Sequence, residues 1–110
     1  MSTDDEAASA HEVIMLLEPK VPNGNLKAMD VMLLGVSYCT VDRIQDCKAR
    51  SRTAMSMGSK LDTGRNHHVL GESLKKGGDP TGAAEEFEQA YQRDPQNTTY
   101  RIDYEATRTN

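Results

Sequence analysis

The sequence predicts an all-α chain of about six helices, and three observations carry that reading. Helix breakers recur at short intervals: Pro19, Pro22, Gly24, Gly58, Gly77, Gly78, Pro80 and Pro95 cut the 110 residues into segments of three or four turns. Those segments carry helix formers and apolar side chains at helical spacing. No two-residue hairpin turn flanked by alternating β-branched residues occurs, so nothing signals a strand.

Residues 4–18 form the first helix and end at Glu18-Pro19. Pro22-Asn23-Gly24-Asn25 reads as a turn, because proline fixes φ and glycine or asparagine accepts positive φ. A second, apolar helix covers 27–40 with Met29, Met32, Leu33, Val36 and Tyr38, and Asp42 is positioned to cap a third over 43–57. Asp62-Thr63-Gly64 opens a fourth helix that runs to Lys76. Gly77-Gly78-Asp79-Pro80 is the sharpest punctuation: a glycine for the position after the C-cap, Asp79 as N-cap, and Pro80 where its missing N–H costs nothing. The fifth helix covers 80–92 and stops before Asp94-Pro95. Asn97 or Thr98 caps a last helix reaching Arg108. Short connections make consecutive helices antiparallel neighbours.

Composition limits how these helices pack. With one Phe, no Trp and 36% hydrophobic residues, one domain over 1–110 has few large side chains for its interior. Close approach of backbones through Ala and Gly would compensate. The net charge of −4 argues against general nucleic-acid binding. Residues 43–65 nevertheless hold six basic and two acidic side chains; we read this island as solvated helix and loop rather than a phosphate site. The start of the chain lacks the pattern of a secretory signal, and no apolar run approaches the ~18 residues of a membrane span. A cytoplasmic protein with Cys39 and Cys47 as reduced thiols is the expectation.

The hairpins repeat. Leu70-Gly71 is followed by Leu74, Ala83, Phe87, Ala90 and Pro95; thirty-six residues before that start stand Leu34-Gly35, followed by Tyr38, Cys47, Ser51 and Ala54. This arrangement resembles the tetratricopeptide repeat, with units at 28–61 and 64–97, a flanking helix at 4–18 and a capping helix at 98–108. In the first unit Cys47 replaces the family's Ala, Ser51 its aromatic residue and Ser59 its Pro. In the second, His67 stands where Trp is usual. A glycine inside a helix costs ~1 kcal/mol relative to alanine, so keeping Gly35 and Gly71 points to a compensating close contact, expected with Cys47 and Ala83. Ala54 and Ala90 would admit the following helix. Tyr100 and Tyr104 share one face of the last helix and are expected to cover the end near Phe87 and Tyr91.

The resemblance implies a right-handed stack of antiparallel hairpins, an α-solenoid, with a concave groove that binds a peptide or helical segment of another protein. It places Met29, Met32, Val36, Cys39 and Thr40 of the first unit in the groove, and Arg65, His68, Glu72, Lys75 and Lys76 of the second. One part is apolar and methionine-rich, suited to irregular partners; the other is mostly basic, suited to an acidic or amphipathic peptide. The alternative for Met29 and Met32 is core packing. The family's carboxylate clamp needs Lys and Asn at the positions of Met32 and Val36, so chaperone-tail binding is not expected.

Catalysis is not expected either. His67 and His68 point about 100° apart on a helix, and Cys39 and Cys47 lack zinc-site spacing. No phosphate-cradling loop is present, and Glu85-Glu86 falls on a face read as solvated. No metal or cofactor is anticipated. The rival readings are a subunit that assembles with itself, a fragment of a longer array, and nucleic-acid contact through 43–65, which would weaken steeply with salt.

Overall fold

The computed structural model describes residues 3–108, and among them there are helices and turns but no strand. Helix α1 (Thr3–Leu17) runs into a 3-10 helix (Glu18–Asn23), followed by α2 (Ala28–Thr40), α3 (Ile44–Met57), α4 (Gly64–Lys76), α5 (Pro80–Arg93) and α6 (Thr98–Arg108). Of the turn expected over Pro22-Asn23-Gly24-Asn25, Pro22 and Asn23 thus belong to the 3-10 helix and Gly24 makes the turn. Pro19 stands at the start of that helix, and Gly24 ends it in the left-handed region, φ 67°. The chain divides into two compact units, Met1–Leu61 and Asp62–Asn110, each containing one tight antiparallel hairpin.

In the first unit α2 packs against both α1 and α3. Its buried side chains are Ala10 and Ile14 from α1, Val31, Leu34, Ser37 and Tyr38 from α2, and Cys47, Ser51, Ala54 and Met55 from α3. The spacing 31, 34, 38 is one helix face. In the second unit α4 presents His67, Leu70 and Leu74, and α5 presents Ala83, Glu86, Phe87 and Ala90. Every packing residue expected from the repeat is buried except Pro95, which is exposed in the turn before α6.

Both glycines lie at the helix contact: Gly71 meets the expected Ala83 as well as Phe87, whereas Gly35 meets Ser51, one helical turn from the expected Cys47. A methyl group on Gly35 would stand 2.9 Å from the Ser51 amide nitrogen and 2.5 Å from its Oγ; one on Gly71 would stand 2.7 Å from two ring carbons of Phe87 and 3.3 Å from the Ala83 carbonyl oxygen. Ser51 and Phe87 occupy the same place in their hairpins. The small hydroxyl lets α3 approach with its main chain, whereas the ring fills that gap in the second unit.

The two hairpin turns are built alike. At the end of α4, Asp79 N–H donates to the Leu74 carbonyl (2.8 Å) and Gly78 N–H to that of Lys75 (3.2 Å), with Gly78 at φ 89°. At the end of α2, Arg43 N–H donates to Tyr38 (2.8 Å) and Asp42 N–H to Cys39 (3.2 Å), with Asp42 at φ 65°. This is the Schellman closure. Asp42 is therefore not the cap of α3, as its sequence position suggested; it occupies the left-handed site that glycine fills in the second hairpin. Asp79, by contrast, accepts from Gly82 N–H (2.9 Å), Thr63 from Asn66 N–H (3.1 Å) and Asn97 from Tyr100 N–H (3.1 Å), so each caps its helix. An L-residue in the left-handed region is disfavoured by roughly 1–2 kcal/mol, partly offset by glycine's greater entropy when unfolded. Asp42→Gly should therefore stabilise the first unit by about 0.5–1 kcal/mol. A higher melting midpoint by circular dichroism is the expected result.

Candidate functional site

Helix α2 buries one face and leaves the other apolar. Met29, Leu33 and Val36 recur at helical spacing and are 65%, 49% and 49% exposed, with Met32 half-buried beside them. Asp30 is the helix's one charged residue, and its carboxylate turns back to accept from Lys27 N–H (3.3 Å). An uncharged apolar stripe on a helix exterior is the informative kind of exposure, since scattered single apolar residues are ordinary. Met29 is thus on the surface rather than in the core. Leu33, absent from the sequence-derived groove, belongs to the stripe; its position four residues after Met29 was the available signal.

Cys39 departs from its expected role. It is half-buried and bonded to the buried Cys47, with Cα atoms 5.1 Å apart, so it offers no thiol to a partner. The three-residue turn of Val41–Arg43 brings the end of α2 beside the first turn of α3 and so places the pair. Sequence spacing alone did not reveal this. Thr40 is exposed, and its hydroxyl donates back to the Val36 carbonyl (3.1 Å). A closed loop of this size should stabilise by about 2–3 kcal/mol on the chain-entropy account. Reduction by dithiothreitol is expected to lower the urea midpoint of the first unit and leave the second unchanged, as read by hydrogen exchange.

Behind the disulfide a polar corner fixes the turn. The Tyr38 hydroxyl donates to Glu18, and the Arg43 guanidinium lies 4.4 Å from the Tyr38 ring centre while meeting Glu18 at 3.4 Å and Asp46 at 2.8 Å. Burial, then the bond to Glu18, pushes the Tyr38 pKa up to about 12. Arg43, one of the basic island, is therefore paired with carboxylates.

In the second unit Arg65, Glu72, Lys75 and Lys76 are exposed. His68 is not free: its Nε2 lies 2.6 Å from Asp103 of α6, its ring centre is 4.9 Å from that of Tyr100, and Phe87 is 5.6 Å away. α6 covers it. Tyr104 stacks on Tyr91 at 5.5 Å, so the two tyrosines of α6 do cap the hairpin, Tyr100 through His68.

His67 turns the other way, into the α4–α5 contact. Its Nδ1 is 2.7 Å from Glu86 Oε1 and its Nε2 2.7 Å from Asp62 Oδ1. Arg93 donates to both oxygens of Asp62, at 2.7 and 3.0 Å, and to Gln89 Oε1 at 2.6 Å. Glu86 is buried, against the solvated face read from sequence; its neighbour Glu85 is the exposed one. With a carboxylate on each ring nitrogen, the protonated ring has an acceptor for both of its N–H groups, so the site favours the imidazolium form. Burial opposes this charge, but the bonds to Glu86 and Asp62 outweigh it and raise the His67 pKa above its ordinary 6.5. Arg93, then His67, holds the Asp62 carboxyl below its ordinary 3.8.

No protein-family model matches this chain, and no curated protein matches it. Among the described residues, no group of three or more His, Cys, Asp or Glu is arranged to hold a metal ion, and no helix is long and apolar enough to cross a membrane.

Proposed function

We propose that the chain is a protein-binding module of the tetratricopeptide type, with the outer face of α2 as its main contact for an amphipathic partner segment. The observation that carries this reading is the uncharged stripe of Met29, Leu33 and Val36. Burying it would stabilise a complex, at roughly 25 cal/mol per Å² of apolar surface. The methionines adapt their shape to the partner. Support for the repeat type comes from glycines and small residues at matched positions and from two turns closed in one way. A binding role accounts for these features better than catalysis. Cytoplasmic residence goes with this reading, and there the Cys39–Cys47 bond would face a reducing glutathione pool.

Selection from a displayed library of helical peptides tests the reading. Enriched peptides should carry apolar anchors three or four residues apart. Met29→Glu with Leu33→Glu should weaken them at least roughly tenfold, because charges would enter the contact. Equal affinity for the variant would overturn the assignment to α2.

A further inference from the structure

The disulfide of the first unit is unevenly exposed. Cys39 is half-buried on α2, with exposed Val36 and Thr40 on the same helix, whereas Cys47 of α3 is only 1% exposed. A thiolate arriving from solvent therefore reaches one sulfur and not the other. Which sulfur can be attacked, and how openly, decides whether a disulfide exchanges or stays shut.

The turn around the bond does not depend on it. Arg43 N–H donates to the Tyr38 carbonyl and Asp42 N–H to that of Cys39; the Tyr38 hydroxyl donates to Glu18, and Arg43 pairs with Asp46. None of these contacts uses a sulfur atom. The second hairpin has Lys75 and Ala83 at the matching positions and closes its turn in the same way without a cross-link. Opening the bond thus leaves Cys47 in place, its N–H held by the Arg43 carbonyl at 2.9 Å in the first turn of α3.

We infer that the Cys39–Cys47 bond is an exchange site for small thiols of the glutathione class, opened at Cys39 and reclosed by Cys47. The thiolate of the small thiol attacks Cys39 Sγ and forms a new sulfur–sulfur bond there. The bond between Cys39 and Cys47 breaks, and its electron pair leaves on Cys47 Sγ, which takes a proton. A second small thiolate then attacks the sulfur of the first, releasing the oxidised small disulfide and Cys39, which is protonated in turn. Two small thiols are oxidised and the protein gains two electrons and two protons. Return attack by Cys47 competes, because its Cα lies 5.1 Å from that of Cys39 and its effective concentration is high. The mixed disulfide is therefore short-lived, and the lasting states are the closed pair and the dithiol. The site lies at the end of the α2 stripe but does not rest on the partner reading.

Glutathione buffers of stepped oxidised-to-reduced ratio, quenched with acid and resolved by intact-mass spectrometry, test the site in the full chain. Wild type should pass reversibly between the closed pair and the dithiol, with glutathione-bearing protein a minor species at every ratio. Peptide mapping of that species, trapped early in the reduction, should place glutathione on Cys39. Cys47→Ala should collect one glutathione on Cys39 and keep it. Cys39→Ala should react at Cys47 at least roughly tenfold more slowly, and the difference should vanish in urea. The dithiol should keep the helical circular dichroism of the closed form. Glutathione on Cys47 in trapped wild type overturns the inference without recourse to either variant. So do equal rates for two variants that both keep the helical signal, an adduct that persists in wild type, a dithiol that has lost its helices, or a pair that never closes in oxidised glutathione.

Discussion

Gly71→Leu is expected to destabilise the second unit by about 1–3 kcal/mol, the usual cost of forcing extra carbons into a packed site. Even the first carbon would lie 2.7 Å from Phe87 Cδ1 and Cε1. Phe87 is buried between α4 and α5 and cannot swing into solvent to make room. Leucine's better helix propensity, worth roughly 0.8–1 kcal/mol over glycine, offsets part of this without reversing it. Ala83→Leu, on the facing helix, should act similarly. Three of the four tyrosines lie in this unit, so tyrosine fluorescence during urea unfolding reports it well. A variant that unfolds at the wild-type midpoint would show that the glycine is not needed for the contact.

The first hairpin sharpens this test through alanine. At Gly71 an added methyl meets a ring, which can tilt by a few tenths of an ångström; at Gly35 it meets the Ser51 amide nitrogen at 2.9 Å, part of a helix backbone. Gly35→Ala should therefore cost more than Gly71→Ala. The reverse order would mean that α3 shifts more easily than the Phe87 ring.

How far the fold was legible follows from such residues. Breakers at Gly58, Gly77 and Gly78 delimited helices because their backbone demands are local. Gly35 and Gly71 revealed a tight hairpin because an unfavourable residue kept within a helix needs a reason. For Gly35 the exact neighbour was not legible, since a one-turn offset between Cys47 and Ser51 depends on how two helices slide, whereas Ala83 does lie against Gly71, beside Phe87. The disulfide was hidden for a related reason: Cys39 and Cys47 meet only once the Schellman turn at Asp42 folds the chain back. Of the candidate surface, Met29 and Val36 came from the repeat resemblance, and helical spacing adds Leu33 four residues after Met29. The fate of His68 depended on α6, and the burial of Glu86 on a partner nineteen residues away in α4.

That burial leads to a pH-dependent stability carried by His67. Its pKa is raised in the folded chain, by bonds to Glu86 and Asp62 that outweigh burial and the repulsion of Arg93. The stabilisation is complete below the ordinary histidine value of 6.5 and is lost as pH rises through the higher folded value. Above it, one ring nitrogen presents a lone pair to a carboxylate at 2.7 Å, and buried Glu86 loses its imidazolium partner. Asp62, with its pKa lowered by Arg93 and then His67, acts in the opposite sense: its share is present above 3.8 and lost as pH falls through the lower folded value. Stability of the second unit should therefore be greatest between these limits and decline on the alkaline side. At pH ~6 His67→Leu should cost about 3 kcal/mol, because it removes the ring that bonds buried Glu86 and Asp62 together. Adding Glu86→Leu should restore part of that loss, since the carboxylate facing the ring is then removed with it. Both variants should lose the decline that wild type shows as pH rises from 6.5 through the higher folded His67 value. A double variant no more stable than His67→Leu, or an unaltered alkaline decline, would place the proton-linked stability elsewhere in the chain.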